Sequence, residues 1–170
     1  MSLTNSINSR RSIRAYTDQE ISKSDLQEII ECGMHAPSAH NQQAREFFVI
    51  EKQKEKDFLA GILQYGKMLP QANKLIIGAF NTFKLKSPNF IQQDMGACTQ
   101  NILLSAHEKG IGGVRVGVYP EEESAIKAIK EHFNLPAGIE VFNIIALGYP
   151  DTSKPLRDKK CLFPEKIHRL

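Results

Sequence analysis

Residues 89–119 constrain the fold of this chain more than any other stretch. Their first part places five apolar side chains at helical spacing: Ile91, Met95, Cys98, Ile102 and Ala106. Because residues three and four apart share one face of a helix, this spacing predicts a helix from about Asn89 to Lys109, which Gly110 should end. The second part alternates valine with other residues, which predicts a strand from Gly113 to Tyr119. One amphipathic helix and one half-buried strand are thus expected side by side in the chain.

The rest of the chain continues this alternation of helices and strands. Further helices are predicted from Lys23 (capped by Ser22) to Gly33, from Asp57 to Leu63, and from Glu121–Glu123, whose acidic side chains suit a first turn, onward. Further strands are predicted at Phe47–Ile50, Leu75–Phe80 and Glu140–Leu147. Alternation by itself favours a doubly wound parallel sheet. A G-x-G-x-x-G dinucleotide loop is nevertheless excluded, because the glycines at 110–113 follow a helix and Arg115 stands where the third glycine should be.

Composition indicates an ordinary globular protein. The chain has 170 residues, of which 41% are hydrophobic and 24% charged, so we expect a single domain over residues 1–170. No apolar run approaches the roughly 20 residues of a membrane helix, and the N-terminus has no apolar signal segment. The three cysteines are far apart, which excludes a disulfide framework. We therefore expect a cytoplasmic protein, because the cytosol keeps thiols reduced.

Positive charge is concentrated at the two ends of the chain. The net charge is only +3, which is not typical of a nucleic-acid-binding protein. Near the start lie Arg10, Arg11 and Arg14, and near the end lie Lys154, Arg157, Lys159, Lys160, Lys166 and Arg169. If the two ends meet in the fold, they form a local anion site; if they do not, they are two solvated tails.

The common catalytic patterns are absent from the sequence. It contains no H-E-x-x-H or C-x-x-C metal pattern and no G-x-S-x-G nucleophile turn. We therefore expect no metal site. Cys98 lies on the apolar stripe of the long helix, where a core position is more typical than a nucleophile.

Two polar segments have no evident role in folding. Residues 10–16 carry three guanidinium groups and a hydroxyl, which could hold phosphate oxygens. Residues 36–43 carry a hydroxyl and several amides, which could bond the polar edge of a ring while proline and alanine pack against its face. Each also has a simpler interpretation, as a basic surface turn and as a polar loop after a helix.

Taken in order, these segments resemble the FMN-dependent nitroreductase family over nearly the whole chain. The matching motifs are R-R-S-x-R-x-F-like at 10–16, A-P-S-x-x-N-x-Q at 36–43, D-x-G-x-x-x-Q-N at 94–101, G-x-G at 110–112 and A-L-G-Y-P at 146–150. A basic stretch before the Ile167-His168 pair matches the close of the family's chain.

The resemblance implies both a fold and an activity. The fold is α+β, with a central, mainly antiparallel sheet flanked by helices in an intertwined homodimer that binds FMN at its interface. The activity is ping-pong transfer of hydride from NAD(P)H, through flavin N5, to nitroaromatic or quinone-like acceptors, with no catalytic side chain. Two alternatives stay open: a reductase of another acceptor (free flavin, an enone or a halophenol), and a non-catalytic FMN-binding or storage protein.

The resemblance also assigns residues to the parts of FMN. The phosphate and ribityl chain would be held by Arg10, Arg11, Ser12 and Arg14, together with Lys159 and Lys160 or, failing these, Arg157. The loop reaching the flavin from the partner subunit would contribute Pro37, Ser38, Ala39 and Asn41. The pyrimidine end would be contacted by Gln64 and Lys67. Backbone N–H groups near flavin N5 and O4 would come from Gly112 and Gly113.

Three positions depart from the family pattern. Many relatives have Pro-Trp where this chain has Ala44-Arg45, and many have Trp where it has Arg115; the chain has no Trp at all. The resemblance therefore assigns neither the physiological acceptor nor the choice between NADH and NADPH.

Overall fold

The computed structural model of the chain describes residues 2–153 and 164–169. Its helices are α1 (Leu3–Ser9), α2 (Lys23–Met34), α3 (Gln53–Ile62), α4 (Ile91–Glu108) and α5 (Glu123–His132). Its strands are β1 (Arg45–Ile50), β2 (Lys74–Asn81), β3 (Gly112–Gly117) and β4 (Ile139–Gly148). The C-terminal arm that the sequence predicts lies mostly in residues 154–163, outside the described residues.

The four strands form one antiparallel sheet in the order β1-β2-β4-β3. The parallel sheet that alternation alone favours is not formed, and the connection between β1 and β2 shows why. Ile50 at the end of β1 pairs with Leu75 near the start of β2. Helix α3 and the irregular segment 63–73 thus return the chain to the same end of the sheet at which β1 finishes, so β2 runs antiparallel beside β1.

Helices cover both faces of this sheet. One face packs against α3 and α5 in a core that includes Leu59, Leu63, Ile77, Val116, Ile126 and Ile129. The other face packs against α2 and α4 in a core that includes Ile29, Ile30, Ile76, Cys98, Ile102 and Ile145. The antiparallel sheet flanked by helices is thus confirmed, whereas the intertwined homodimer stays a prediction.

Local signals in the sequence identify the start of α2 and the end of α4. The side chain of Ser22 accepts a hydrogen bond from the N–H of Asp25 at 3.0 Å and so caps α2. Gly110 follows α4 with a φ of 75°, a left-handed conformation that glycine adopts easily. Helix α3 begins four residues before the predicted Asp57, and the short helix α1 was not predicted.

The segment after α1 runs along the outer edge of β3. Ser12 forms a parallel bridge to Gly113, and Tyr16 forms an antiparallel bridge to Pro150. The hydroxyl of the buried Tyr16 donates to the carbonyl of Ile13 at 2.7 Å, within the segment that joins the two bridges. This pairing places the arginines of residues 10–14 beside the exposed positions of β3.

The described residues also bear on three other features: membrane-spanning helices, metal-binding clusters and a reactive thiol. None of the helices in the described ranges combines the length and apolar character needed to cross a membrane. Within residues 2–153 and 164–169, no His, Cys, Asp or Glu side chains cluster in a way that could hold a metal ion. Cys98 is fully buried, and burial raises the pKa of its thiol to about 12, so the thiol stays protonated at neutral pH.

Candidate functional site

A small cationic cavity lies between the N-terminal segment, α4 and β3. Its volume is about 290 Å³. It is lined by Arg10, Ser12, Arg14, Gly96, Thr99, Gln100, Leu103, Val114 and Arg115. Nη1 of Arg10 is buried and has no hydrogen-bond partner among the described residues. An unpaired buried donor is costly, and a guanidinium fits two oxygens of a phosphate or carboxylate. The cavity is therefore suited to an anion.

A larger cavity of about 690 Å³ continues from the first. It is lined by Arg14, Gln64, Tyr65, Lys67, Met68, Arg115, Val116 and Gly117. Arg14 and Arg115 line both cavities, so the two are contiguous. In the described part of the chain no carboxylate lines either one. A ligand with an anionic end and a longer polar body would match this shape and charge.

Not every arginine of the N-terminal segment faces the cavities. The guanidinium of Arg11 donates to the carbonyls of Asn8 and Ser9 at 3.1 and 3.0 Å, and to its neighbour Arg10 at 3.1 Å. It therefore caps the C-terminal end of α1, where a cation satisfies the unpaired carbonyls. Arg11 lines neither cavity.

The predicted ligand loop, residues 36–43, lies on a different side of α4. Pro37, Ser38, Ala39 and Asn41 line neither cavity. The N–H of Ala39 donates to Asp94 at 3.0 Å, which attaches the loop near the start of α4.

The cavities face the opposite side of that helix. An α-helix turns about 100° per residue, so Asp94 and the cavity-lining Leu103 point about 180° apart. Gly96, Thr99 and Gln100 lie within about 60° of Leu103 on the same calculation. Within one chain, the loop and the cavities are therefore separated by α4.

The glycines at the start of β3 pack closely against neighbouring side chains. A Cβ on Gly112 would lie 2.6 Å from the side chain of Ile13, and one on Gly113 would lie 2.8 Å from Leu103. Both glycines thus permit close packing, and neither lines either of these two cavities. Gly117 lines the larger cavity instead, with open space where its Cβ would be. Contact of Gly112 and Gly113 with a ligand stays a prediction.

Several cavity residues were not identified from the sequence. Arg115 was noted only as a departure, although it lines both cavities. Gly96 and Gln100 belong to the motif at 94–101, so that motif could have indicated them. Lys159 and Lys160, together with Arg157, lie outside the described residues.

A histidine next to the small cavity, His107, is affected by the positive charge of the arginine segment. Burial, and then the positive charges of Arg10 and Arg11, lower the pKa of His107. Nε2 of His107 shares a hydrogen bond of 2.7 Å with the hydroxyl of Ser9. The neutral imidazole therefore attaches the end of α1 to α4, directly behind the arginine segment.

The chain is similar to a known family and to several of its members. Residues 7–79 and 64–149 match the model of the nitroreductase family. A relative from Archaeoglobus fulgidus, provisionally named an NADH dehydrogenase/NAD(P)H nitroreductase, is 39% identical over 96% of this chain and 94% of its own length.

Solved structures agree with the sequence comparison. A Parabacteroides distasonis protein with the same provisional name has a TM-score of 0.89 at 30% identity, covering 98% of this chain and 96% of that one. A Desulfovibrio desulfuricans protein, provisionally named a nitroreductase and solved with FMN, has a TM-score of 0.86 at 28% identity, covering 100% and 97%. The chain therefore belongs to the nitroreductase family.

Proposed function

We propose that this chain is an FMN-dependent oxidoreductase that takes hydride from NAD(P)H and delivers it to nitroaromatic or quinone-like acceptors by a ping-pong mechanism. The Desulfovibrio relative binds FMN, and the names of two relatives include NAD(P)H. When bound, the flavin supplies the hydride chemistry at its N5 atom. The protein then has to bind, orient and charge-balance the cofactor and exclude competing reactions.

The buried, unpaired Nη1 of Arg10 is the observation that carries this proposal. It is a strong donor that requires an acceptor, in a cavity lined by other cations. A phosphate group would satisfy it, and Ser12 and Arg14 line the same cavity and could donate to the same group. The residues present therefore fit the phosphate end of FMN.

The larger cavity suits the ring end of the same ligand. Gln64 and Lys67 lie on one side of it, and Arg115 and Gly117 lie on β3. Lys67 makes no ion pair with a residue that the structure describes, so its charge is available to a ligand. A cation there would stabilise negative charge at the pyrimidine end of a reduced ring.

We also propose that each site is shared by two subunits of a homodimer. The 36–43 loop and the cavities lie on opposite faces of α4, as the position of Asp94 relative to Leu103 indicates. A loop on one face of a helix can reach a ligand on the other face of an equivalent helix if a two-fold axis relates the two copies. The dimer would work in the cytoplasm, where Cys32 and Cys98 stay reduced.

Anaerobic mixing of the purified protein with NADH or NADPH tests the proposal. The protein should contain non-covalent FMN, and its flavin absorbance should bleach with at least one donor. An added nitroaromatic or quinone should then restore the colour. Double-reciprocal plots at several acceptor concentrations should be parallel, as ping-pong kinetics require.

Different failures distinguish the alternatives. A protein that takes up no FMN contradicts the proposal altogether. FMN that binds but is reduced by neither donor indicates a storage or binding protein. A flavin that is reduced but reoxidised only by free flavin, an enone or a halophenol indicates another acceptor.

A further inference from the structure

The 36–43 loop has an unusual backbone. His40, Asn41 and Gln43 have φ values of 49°, 49° and 45°. Residues with a side chain rarely adopt this left-handed region; asparagine and histidine do so more often than most, and glutamine has no such preference. Three such residues within four positions will not persist unless surrounding contacts hold them.

A buried pair of side chains supplies those contacts. Asp94 is 9% exposed and Gln42 is 5% exposed. One carboxylate oxygen of Asp94 accepts the N–H of Ala39 at 3.0 Å, and the other accepts from Nε2 of Gln42 at 2.6 Å. Asp94 therefore holds the loop at two points.

The other side of the Gln42 amide is also occupied. Its oxygen accepts the backbone N–H groups of Lys86 and Ser87, each at 3.0 Å. Because those donors are backbone groups, the oxygen must face them and the nitrogen must face Asp94. The polarity of the pair is therefore fixed, and the loop is joined to both α4 and the segment before it.

Packing alone does not require a carboxylate at position 94. It forms no ion pair with any residue in the described ranges, so neutral donors and the first turn of α4 hold its charge. Burying a carboxylate costs free energy that an apolar side chain of similar size would not. A positional role for Asp94 accounts for this cost.

The held loop presents hydrogen-bond donors. The hydroxyl oxygen of Ser38 accepts the N–H of Gln43 at 3.1 Å, which leaves the hydroxyl proton available. The side-chain oxygen of Asn41 accepts from Nε2 of Gln43 at 2.6 Å, which leaves the NH2 group of the exposed Asn41 available. Such a surface fits a ligand edge rich in acceptors, such as ring carbonyls.

We propose that Asp94 and Gln42 are positioning residues that hold the 36–43 loop so that Ser38 and Asn41 offer donors to the carbonyl edge of a ring. That the ring is the flavin rests on the proposed function above. Neither positioning residue needs to touch the ligand. Their effect is transmitted by the loop backbone between Ala39 and Gln43.

An exchange of the two side-chain types tests the pair directly. Asp94→Asn places an amide against the amide of Gln42, and Gln42→Glu places a carboxylate against that of Asp94. The double variant D94N/Q42E restores one carboxylate–amide hydrogen bond, with the amide now at position 94 and the carboxylate at position 42. Each single variant should speed deuterium exchange in the 36–43 segment and weaken FMN binding, each by about tenfold. The double variant should recover most of both losses.

Two control variants separate positioning from stability. Asp57→Asn alters the exposed Gln53–Asp57 carboxylate–amide pair on α3 (2.8 Å) and should change neither readout. Ile129→Val trims a fully buried side chain and should lower Tm without changing exchange in the loop.

Each result supports or overturns the proposal. If D94N and Q42E lower Tm but leave loop exchange and FMN affinity unchanged, or if the double variant recovers neither, the pair is merely structural. If the wild-type protein binds no FMN, the proposed function fails, and loop exchange still decides whether the pair holds the loop.

Discussion

The backbone N–H of Ile13 donates to the carbonyl oxygen of Gly113 at 3.1 Å. This bond fixes the arginine-bearing segment against the edge of β3. The side chain of Ile13 fills the space where a Cβ of Gly112 would lie, 2.6 Å from its nearest atom. The absence of a side chain on Gly112 thus sets how closely Arg10 and Arg14 approach the sheet.

Gly112→Ala should therefore displace the arginine segment. The added methyl group overlaps Ile13, and overpacking of this kind costs about 1–3 kcal/mol. We expect a lower free energy of unfolding in urea and weaker FMN binding in the same variant. Unchanged stability would mean that the segment does not depend on this contact.

Gly117→Ala is the contrasting change on the same strand. No atom lies within 4 Å of its Cβ position, so stability should be nearly unchanged. Because Gly117 lines the larger cavity, the methyl group should instead alter FMN affinity or the flavin spectrum. Loss of stability without any change in the flavin would contradict this assignment.

Arg10→Ala should weaken FMN binding strongly. Loss of a charge-assisted contact to phosphate predicts about 1.5–3 kcal/mol, or roughly tenfold to 150-fold in Kd. Arg10→Lys keeps the charge but loses the planar fork, so an intermediate Kd is expected. Titration of the apoprotein, followed by quenching of FMN fluorescence, measures both.

Arg45→Ala is the matched control for the Arg10 variants. The guanidinium of Arg45 donates to the carbonyl of Met34 and lines neither cavity. Its removal should leave the Kd for FMN close to the wild-type value. Equal losses from both arginines would indicate a general charge effect rather than a phosphate site.

The stability of the protein should fall below about pH 6.5 because of His107. Burial and the neighbouring Arg10 and Arg11 lower its pKa in the folded state, so the unfolded chain binds a proton that the folded chain does not. The stabilisation is complete above the unfolded pKa and is lost as the pH falls towards the lowered folded pKa.

His107→Gln should flatten this dependence when Tm is measured from pH 5 to pH 8, roughly the range over which an unperturbed histidine titrates. Saturating FMN should also reduce the pH dependence of Tm in the wild-type protein, since a phosphate at Arg10 offsets the positive charge near His107. If Tm of the variant depended on pH as steeply as Tm of the wild-type protein, groups other than His107 would account for the effect.

Much of the fold could be predicted from local patterns. The stripe on α4 and the alternating valines of β3 each identify an element to within a few residues, because burial on one face imposes a period on the sequence. The direction of the strands could not be predicted in this way. It depends on where the irregular segment 63–73 leads the chain, and no local period encodes that path.

The candidate site could be predicted in part, for a similar reason. The motifs identify Arg10, Ser12, Arg14, Gln64 and Lys67, and the structure brings these five residues to contiguous cavities. Arg11 has the same residue type and lies beside them, yet it caps α1. The C-terminal end of α1 decides which of the two adjacent arginines faces a cavity, and α1 was not predicted from the sequence.

Arg115 should favour acceptors that carry a carboxylate. It lines both cavities and forms no ion pair with a residue that the structure describes. The matched substrates 4-nitrobenzoate and 4-nitrobenzamide differ in charge but hardly in shape. Arg115→Ala should raise KM for the benzoate by up to about fivefold relative to the benzamide, as one exposed ion pair allows. Equal changes in both KM values would exclude this preference.

Catalysis should require both subunits of the proposed dimer. A mixed dimer combines one subunit carrying Arg10→Ala and Arg14→Ala with another carrying Ser38→Ala and Asn41→Ala. If the loop and the cavities of one site come from different subunits, one site collects all four changes and the other keeps wild-type residues at these positions. The mixed dimer should then recover about half of the wild-type FMN content and turnover, whereas each mutant homodimer has little. If both groups come from the same subunit, each site of the mixed dimer is damaged and no activity returns. That result, or an active monomer in sedimentation, would refute the shared site, and Asp94 would then hold a loop that serves its own chain.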